Sequence, residues 1–377
     1  MKRESGVDGA IMWATVLTGA FGVLMVYDSS AVSAALRNRF DSATFFFERQ
    51  LIWFIVGTVC MVLASRISQN RLQRFIVPGM IAATGLLGLV LIPGIGHSAG
   101  GARRWVRIGW FSVQPGEFMR LMLVLYLAHL FSVKKDKIKN FTEAFLPAVT
   151  VTAIVIALLI AQPKIGTALL LMLMTAVMLF IAGIPFYQLF LALTASTPFV
   201  YFAFSNVDYV QKRIDAWLYP SEHMQTLGFQ VVQSMIAIGS GGIFGAGLGQ
   251  GRQKMFYLPE AHTDMIFPVI AEELGLVGVY CFLFCLGFLL YRGFHVSAQA
   301  QSTFGRLLAA GLTVSIVTPA FLNIMVASGL FPVTGIALPL ISYGGTALVT
   351  DMTSLGLLSG IGRWSSTNFT GIRNEIC

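Results

Sequence analysis

"AFLPAVTVTAIVIALLIAQPKIGTALLLMLMTAVMLFIAGI", residues 144–184, decides what kind of protein this is. Two continuous apolar runs, 144–161 and 167–184, flank one short polar turn around Gln162-Pro163-Lys164. Each comes close to the roughly 20 residues that a helix needs to cross ~30 Å of hydrocarbon. Membrane barrel strands would alternate apolar and polar residues, and these runs do not. Similar runs recur near 9–27, 50–65, 75–93, 116–132, 187–204, 270–291, 305–328 and 345–361. Across the chain, 56% of 377 residues are hydrophobic and only 11% charged, whereas a soluble domain carries about a quarter charged residues. The expectation is an all-α polytopic membrane protein of about ten transmembrane helices, with residues 1–377 forming one membrane domain.

An even number of spans places both termini on one side. Lys2 and Arg3, Arg66/Arg71/Arg74, Lys134/Lys135/Lys137/Lys139, Arg292, Arg306, Arg363 and Arg373 all fall there, so by the positive-inside rule that side is the cytoplasm. Residues 362–377 then form a cytoplasmic tail. The excess of positive charge is small, and the basic residues of the outer side need their own explanation. The first span follows a polar start with no small-residue cleavage site, so it reads as a helix and not a removable signal. Cys60, Cys281, Cys285 and Cys377 lie in apolar spans or at the very end, with no disulfide framework. Cys281 and Cys285 are one helical turn apart, but no His or acid is interleaved, and packing explains them better than a metal. No nucleic-acid partner is expected.

Two outer connections are long, 94–115 and 205–269. The second, between spans seven and eight, is too long for a plain connector, and such loops usually carry function. Its segment "GFQVVQSMIAIGSGGIFGAGLGQG", 228–251, is half apolar but broken by Gln230, Gln233, Ser234 and many glycines. It reads as a short interfacial or re-entrant helix followed by a Gly-rich turn. No phosphate-loop or dinucleotide fingerprint fits that turn.

Three constellations could carry chemistry. In "YLPEAHTDMIFPVIAEELG", 257–275, Asp264 sits just before a span with Glu260 and His262 at two-residue steps and Glu272-Glu273 inside the span. Asp264 reads either as a solvated helix cap or as a carboxylate tuned by apolar neighbours into a working base. Intramembrane acids such as Glu272 and Glu273 are costly and usually functional. In "GGARRWVRIGWFSVQPGEFMR", 100–120, Arg103, Arg104 and Arg107 with Trp105 and Trp110 read either as interfacial anchors or as a phosphate-binding lip. Glu117 and Arg120, three apart, could neutralise each other. Lys212, Arg213, Arg252 and Lys254 add cations in the long loop. The third stretch, "FPVTGIALPLISYGGTA", 331–347, has too much Pro and Gly for a helix. It is either a structural loop or a cavity lining, with Ser342, Tyr343 and Thr346 as its polar groups.

These stretches, together with "AQPKIGTA" at 161–168, resemble the SEDS family (shape, elongation, division and sporulation) over nearly the whole chain. Tyr257 to Asp264, with Arg252-Gln253-Lys254 before them, look more like FtsW, the division branch, than like RodA, the elongation branch. The resemblance implies a peptidoglycan glycosyltransferase of the FtsW/RodA/SpoVE type. Such a protein polymerises lipid II on the outer face of the bacterial cytoplasmic (inner) membrane, at the division septum. It would release undecaprenyl pyrophosphate and work with a class B penicillin-binding protein and other division proteins. The family's essential Asp maps onto Asp264, as general base on the acceptor sugar hydroxyl with inversion at the donor carbon. Candidate substrate contacts are Arg103, Arg104, Arg213, Lys254, Glu117, Gln233, Glu260, His262 and Ser342. A divalent cation, Mg or Mn, is compatible with a pyrophosphate leaving group, but no ligand cluster specifies a metal.

The chain departs from the family pattern where Gln-Pro-Asp-x-Gly-Thr reads Gln162-Pro163-Lys164-Ile165-Gly166-Thr167. This charge reversal calls for a compensating acid, such as Glu117, and restoring Asp at 164 is expected to be tolerated. Gly116 stands in place of the family's Ser, and Met265 in place of its Phe. Two rival readings are a lipid II flippase and a non-catalytic division scaffold. A flippase would carry its site at the bilayer midplane, whereas here the densest charge lies in outer loops. A scaffold leaves Asp264 unexplained.

Overall fold

A computed structural model of the chain describes residues 7–36, 42–94, 96–99, 102–108, 111–192, 194, 197, 208–225, 227–255, 257–259 and 261–373. The helices are α1 (Gly9–Leu36), α2 (Phe45–Ser65), α3 (Gln69–Val90), α4 (Pro115–Val133), α5 (Leu146–Ala161) and α6 (Ile165–Ala182). After them come α7 (Asp208–Leu218), α8 (Leu227–Ser240), α9 (Ile266–Gln299), α10 (Thr303–Ala327) and α11 (Gly345–Arg373). Among the described residues eight helices are long and apolar enough to cross a membrane, namely α1 to α4, α5 with the turn at Phe141–Phe145 before it, α6, α9 and α10. The protein is therefore a multi-pass membrane protein built mainly of helices.

The all-α expectation needs one amendment. The basic connection after α3 folds as a three-stranded antiparallel sheet, β1 (Gly96–Ala99), β2 (Ala102–Ile108) and β3 (Phe111–Val113), in the order β1-β2-β3. The run from Arg104 to Ile108 is rich in β-branched and aromatic residues, the composition a short strand favours. Several boundaries also move. Helix α1 runs nine residues past the expected end at 27, and α9 starts at Ile266 and not at 270. Residues 362–373, expected as a tail, continue α11. Residues 186–192 are helical, and most of the rest of the expected seventh span lies outside the described residues.

Helix α11 is long enough to span but more polar than the eight. Its buried Thr350, Ser354 and Ser359 sit in the middle of the helix, where hydroxyls can bond back to the preceding turn. Ser354 donates to the Thr350 carbonyl at 2.7 Å and Ser359 to that of Gly356 at 2.8 Å. The same helix packs along α2 through Gly356 and Gly360, where a Cβ would overlap the backbone carbonyls of Met61 and Ser65. Small residues four apart let two helix backbones touch, which drives association where there is no water to expel.

Two apolar clusters follow. The larger one joins α3 to α6 with α10 and α11. The smaller one contains Met25 and Val26 of α1, Val231 of α8, Met265 to Ile270, Val326 and Ala327 of α10, and Val333, Leu338 and Ile341. Residues 332–338 have no regular structure, as their Pro and Gly content predicts. The candidate site sits directly above the smaller cluster.

Candidate active site

The acidic stretch is organised by a break in α9. Its backbone leaves helical geometry at Gly275, with φ 62° and ψ −161°, a conformation that essentially only glycine adopts. Such a break strips helical partners from nearby carbonyls and N–H groups, and the Gly-rich turn replaces them. Ala246 N–H donates to the Glu272 carbonyl at 2.9 Å and Gly247 N–H to that of Glu273 at 3.0 Å. In return, Leu276 and Val277 N–H donate to the carbonyls of Gly242 and Ile243 at 3.0 and 3.2 Å. A Cβ at Gly245 would overlap the Glu273 carbonyl, so the approach is open only to glycine.

The side chains of the two glutamates close the same loop. Glu272 accepts from Arg252 N–H at 2.8 Å and Gln253 N–H at 3.2 Å. Glu273, fully buried, accepts from Gly249 and Gly251 N–H at 3.1 and 3.0 Å. Its carboxylate also meets Lys254 at 2.6 Å, and Lys254 reaches Asp28 of α1 at 2.7 Å. These acids therefore anchor a loop. Lys254, expected as a substrate contact, is instead buried and neutralised between Asp28 and Glu273.

Asp264 lies on the turn that leads into α9. Beneath it Met265, Ile266 and Phe267 are buried, while Asp264 itself is half-buried. Its backbone is fixed by Asn323 of α10, which donates to the Asp264 carbonyl at 2.7 Å and to that of Ile336 at 2.8 Å. Ser342 donates to the Thr263 carbonyl at 2.5 Å and accepts from Leu338 N–H at 2.8 Å. Thr263 Oγ1 donates to Asp264 Oδ1 at 3.2 Å. Gly335 sits beside the carboxylate, where a Cβ would come 3.8 Å from Oδ2. Ser342, expected as a substrate contact, is thus a clasp between two loops, with its hydroxyl engaged in both directions.

The long connection converges on the same place. From α7, Arg213 donates to the Val333 carbonyl and Trp217 to that of Gly329 at 2.8 Å. From α8, Ser234 donates to the Ala327 carbonyl at 2.5 Å, while its neighbour Gln233 is half-buried. On the other side, the His262 ring packs against Phe46 of α2, with centroids 4.5 Å apart, and against Tyr343 at 5.7 Å. Glu260 lies outside the described residues, as does the side chain of Arg103.

A second charged group lies on the far side of residues 331–344. Lys164 Nζ is 3.4 Å from Glu117 Oε1, Glu117 is 3.6 Å from Arg120, and Arg120 also pairs with Asp351 of α11. Lys164, Arg120 and Asp351 are buried, and the two cations and two acids cancel. Burial pushes the Lys164 ammonium below its ordinary value, and the Glu117 carboxylate is the main influence holding it up. Arg104 of β2 donates to the Pro163 carbonyl at 2.9 Å, so the sheet is fastened to the turn that carries Lys164. Asp351 was missed in the sequence, although an acid in an apolar helix is itself a signal. Among the described residues no group of three or more His, Cys, Asp or Glu converges to hold a metal ion.

The two charged groups meet through backbone. Gly166, two residues after Lys164, lies so close to Thr334 that a Cβ would overlap its carbonyl, and Thr334 precedes the Gly335 that flanks Asp264. The model of the cell cycle protein family FtsW/RodA/SpoVE matches residues 9–367. The chain belongs to the FtsW/RodA/SpoVE family. It is 41% identical over 361 residues to a probable peptidoglycan glycosyltransferase FtsW of Geobacter metallireducens, covering 96% of each chain. It is 37% identical over 364 residues to the stage V sporulation protein E of Bacillus subtilis, covering 96% of this chain and 99% of that one. A chain from a peptidoglycan synthase complex that coordinates polymerization and crosslinking superposes with a TM-score of 0.77 at 32% identity, covering 95% of this chain and 98% of that one. The rod shape determining protein RodA of Thermus thermophilus gives a TM-score of 0.68 at 27% identity, over 95% of this chain and 97% of that one. Within this FtsW/RodA/SpoVE member, Asp264 stands half-buried on a turn whose backbone Asn323 and Ser342 hold.

Proposed function

We propose that the chain is a peptidoglycan glycosyltransferase that polymerises lipid II during cell division, on the outer face of the bacterial cytoplasmic membrane. The observation that carries this reading is the placement of Asp264. Its carboxylate stands at the edge of a buried apolar cluster, on a turn whose backbone is fixed by Asn323 and Ser342. The names of the relatives, probable peptidoglycan glycosyltransferase FtsW among them, support the reaction class.

In this reading the Asp264 carboxylate accepts the proton of the acceptor sugar hydroxyl. The hydroxyl oxygen forms a bond to the donor anomeric carbon, and the bond from that carbon to the lipid diphosphate breaks with inversion. Charge develops on the diphosphate, and preorganised donors there would carry much of the rate. Asp264 then returns its proton to water. Arg104 and Arg213 face this region from β2 and α7 and remain candidates for diphosphate contact, whereas Lys254 does not. A class B penicillin-binding protein that cross-links the new strands is the proposed partner, in line with the synthase complex that the fold matches.

The test is polymerisation of lipid II by the purified chain with a cognate class B penicillin-binding protein. Asp264→Ala and Asp264→Asn are expected to abolish polymer while the protein stays monodisperse. Full polymerisation by Asp264→Ala would sink the assignment. Translocation of lipid II across vesicles without polymer would favour the flippase reading.

A further inference from the structure

Arg49 stands at the outer end of α2, three residues after Phe46 and one before Gln50. Both of those neighbours belong to the rim. Phe46 packs against His262 and Tyr343, with centroids 4.5 and 5.1 Å away. Gln50, buried, donates to the Ser342 carbonyl at 3.1 Å and accepts from Gly344 N–H at 3.3 Å. Tyr343 in turn donates its backbone N–H to the His262 carbonyl at 2.9 Å, two residues from Asp264.

The Arg49 guanidinium lies over the Phe45 ring, with Cζ 4.4 Å from the centroid, and the next residue, Phe46, packs against the Tyr343 ring. Burial pushes the Tyr343 phenol above its ordinary value, while the charge of Arg49 acts the other way. The side chain of Arg49 is exposed, and among the described residues no carboxylate pairs with it. The other cations near the rim are engaged differently. Arg120, Lys164 and Lys254 are matched by acids, and Arg104 and Arg213 donate to backbone carbonyls. A guanidinium stacked on an aromatic face is held in one plane, with several N–H groups left to fork onto oxygen. A tyrosine hydroxyl at the same rim can donate a hydrogen bond to the same anion.

We infer that Arg49 and Tyr343 form a phosphate-recognition pair at the rim, taking oxygens of a lipid-linked diphosphate beside Asp264. The inference rests on the glycosyltransferase reading above. The chemistry it names, a phosphate on a lipid, is shared by ordinary anionic phospholipids, so the experiment separates the two.

Binding of undecaprenyl diphosphate and of phosphatidylglycerol is measured on the purified full chain in detergent, by native mass spectrometry. Arg49→Ala is expected to weaken undecaprenyl diphosphate about tenfold or more, since charge-assisted bonds to phosphate are lost. Arg49→Lys should recover part of that loss, because it keeps the charge but not the fork. Tyr343→Phe should weaken binding about threefold, the lower range for one hydrogen bond. Phosphatidylglycerol should change by less than about twofold. Unchanged diphosphate binding by both Arg49 variants would overturn the inference, and so would an equal loss for phosphatidylglycerol. If the wild type polymerises lipid II and the Arg49 variants bind normally, only this inference falls. If the wild type neither polymerises lipid II nor binds the diphosphate, the glycosyltransferase reading falls with it.

Discussion

The Lys164 ammonium lies 3.4 Å from a carboxylate oxygen of Glu117, in a turn between two helices whose flanks are buried. Lys164 and Arg120 balance Glu117 and Asp351, and each member depends on the others for its charge. Removing one partner of a buried pair costs far more than removing both. Glu117→Gln is expected to destabilise the chain by about 3 kcal/mol, and Lys164→Met by a similar amount. The double variant Glu117→Gln/Lys164→Met should recover most of either loss. Thermal unfolding in detergent with the full double-mutant cycle checks this.

Replacing Lys164 by Asp is a sharper case. From sequence alone that change looks tolerable. In the structure it would set a third carboxylate beside Glu117 and Asp351 with Arg120 as the sole described cation of the group. Lys164→Asp is therefore expected to fall below Lys164→Met in melting temperature, and Glu117→Lys added to it should restore stability. Equal melting temperatures for Lys164→Asp and wild type would refute the neutral quartet.

Asn323 holds the Asp264 and Ile336 carbonyls with one amide. Asn323→Ala leaves two partly buried acceptors without their donor, at about 1–3 kcal/mol for each buried unsatisfied group. The turn carrying the proposed base should then loosen. The expected signature is a fall in polymerisation kcat with little change in KM, and it is read from lipid II titrations.

Lys254 gives the opposite pattern. Its ammonium bridges Asp28 and Glu273, so Lys254→Met leaves the buried Glu273 and the half-buried Asp28 without their cation. Melting temperature should drop, by the equivalent of about 3 kcal/mol or more, while affinity for undecaprenyl diphosphate in the folded fraction stays unchanged. A selective loss of diphosphate affinity would return Lys254 to the substrate site.

The glycine pair in the α9 break can be tested through the backbone. Gly275→Ala puts a side chain at φ 62° against the backbone of Ile243 and Gly245. Strain of that kind costs on the order of 1–3 kcal/mol. Limited proteolysis should then cut within 241–257 at a protease concentration that leaves the wild type intact.

How much of this was legible beforehand depends on the physics involved. Hydrophobic runs are a long-range average, so they announce α4, α5, α6 and α10 plainly. They announce α11 at 345–361 but not its continuation to Arg373, where the sequence turns polar. The sheet at 96–113 hid among residues that also suit an interfacial loop. Asp264 stood out because acids beside apolar spans are rare. The roles of Glu272, Glu273 and Lys254 did not, since a charge looks the same in sequence whether it meets substrate or another charge. Arg49 and Asn323 carried no local signal at all. Their partners lie hundreds of residues away or across a helix pair, and only folding brings them together.

Residues 331–344 touch nearly everything that surrounds Asp264, including Gln50 of α2, Arg213 of α7, Asn323 of α10 and Gly166. They also follow nearly all of those elements in chain order. During synthesis, α1 to α10 can enter the bilayer one after another while the rim has no floor and no clasp. Only when this late segment leaves the ribosome can Asn323, Ser342 and Tyr343 close around the turn that bears the aspartate. Until then the turn that bears Asp264 lacks the contacts that hold it in place.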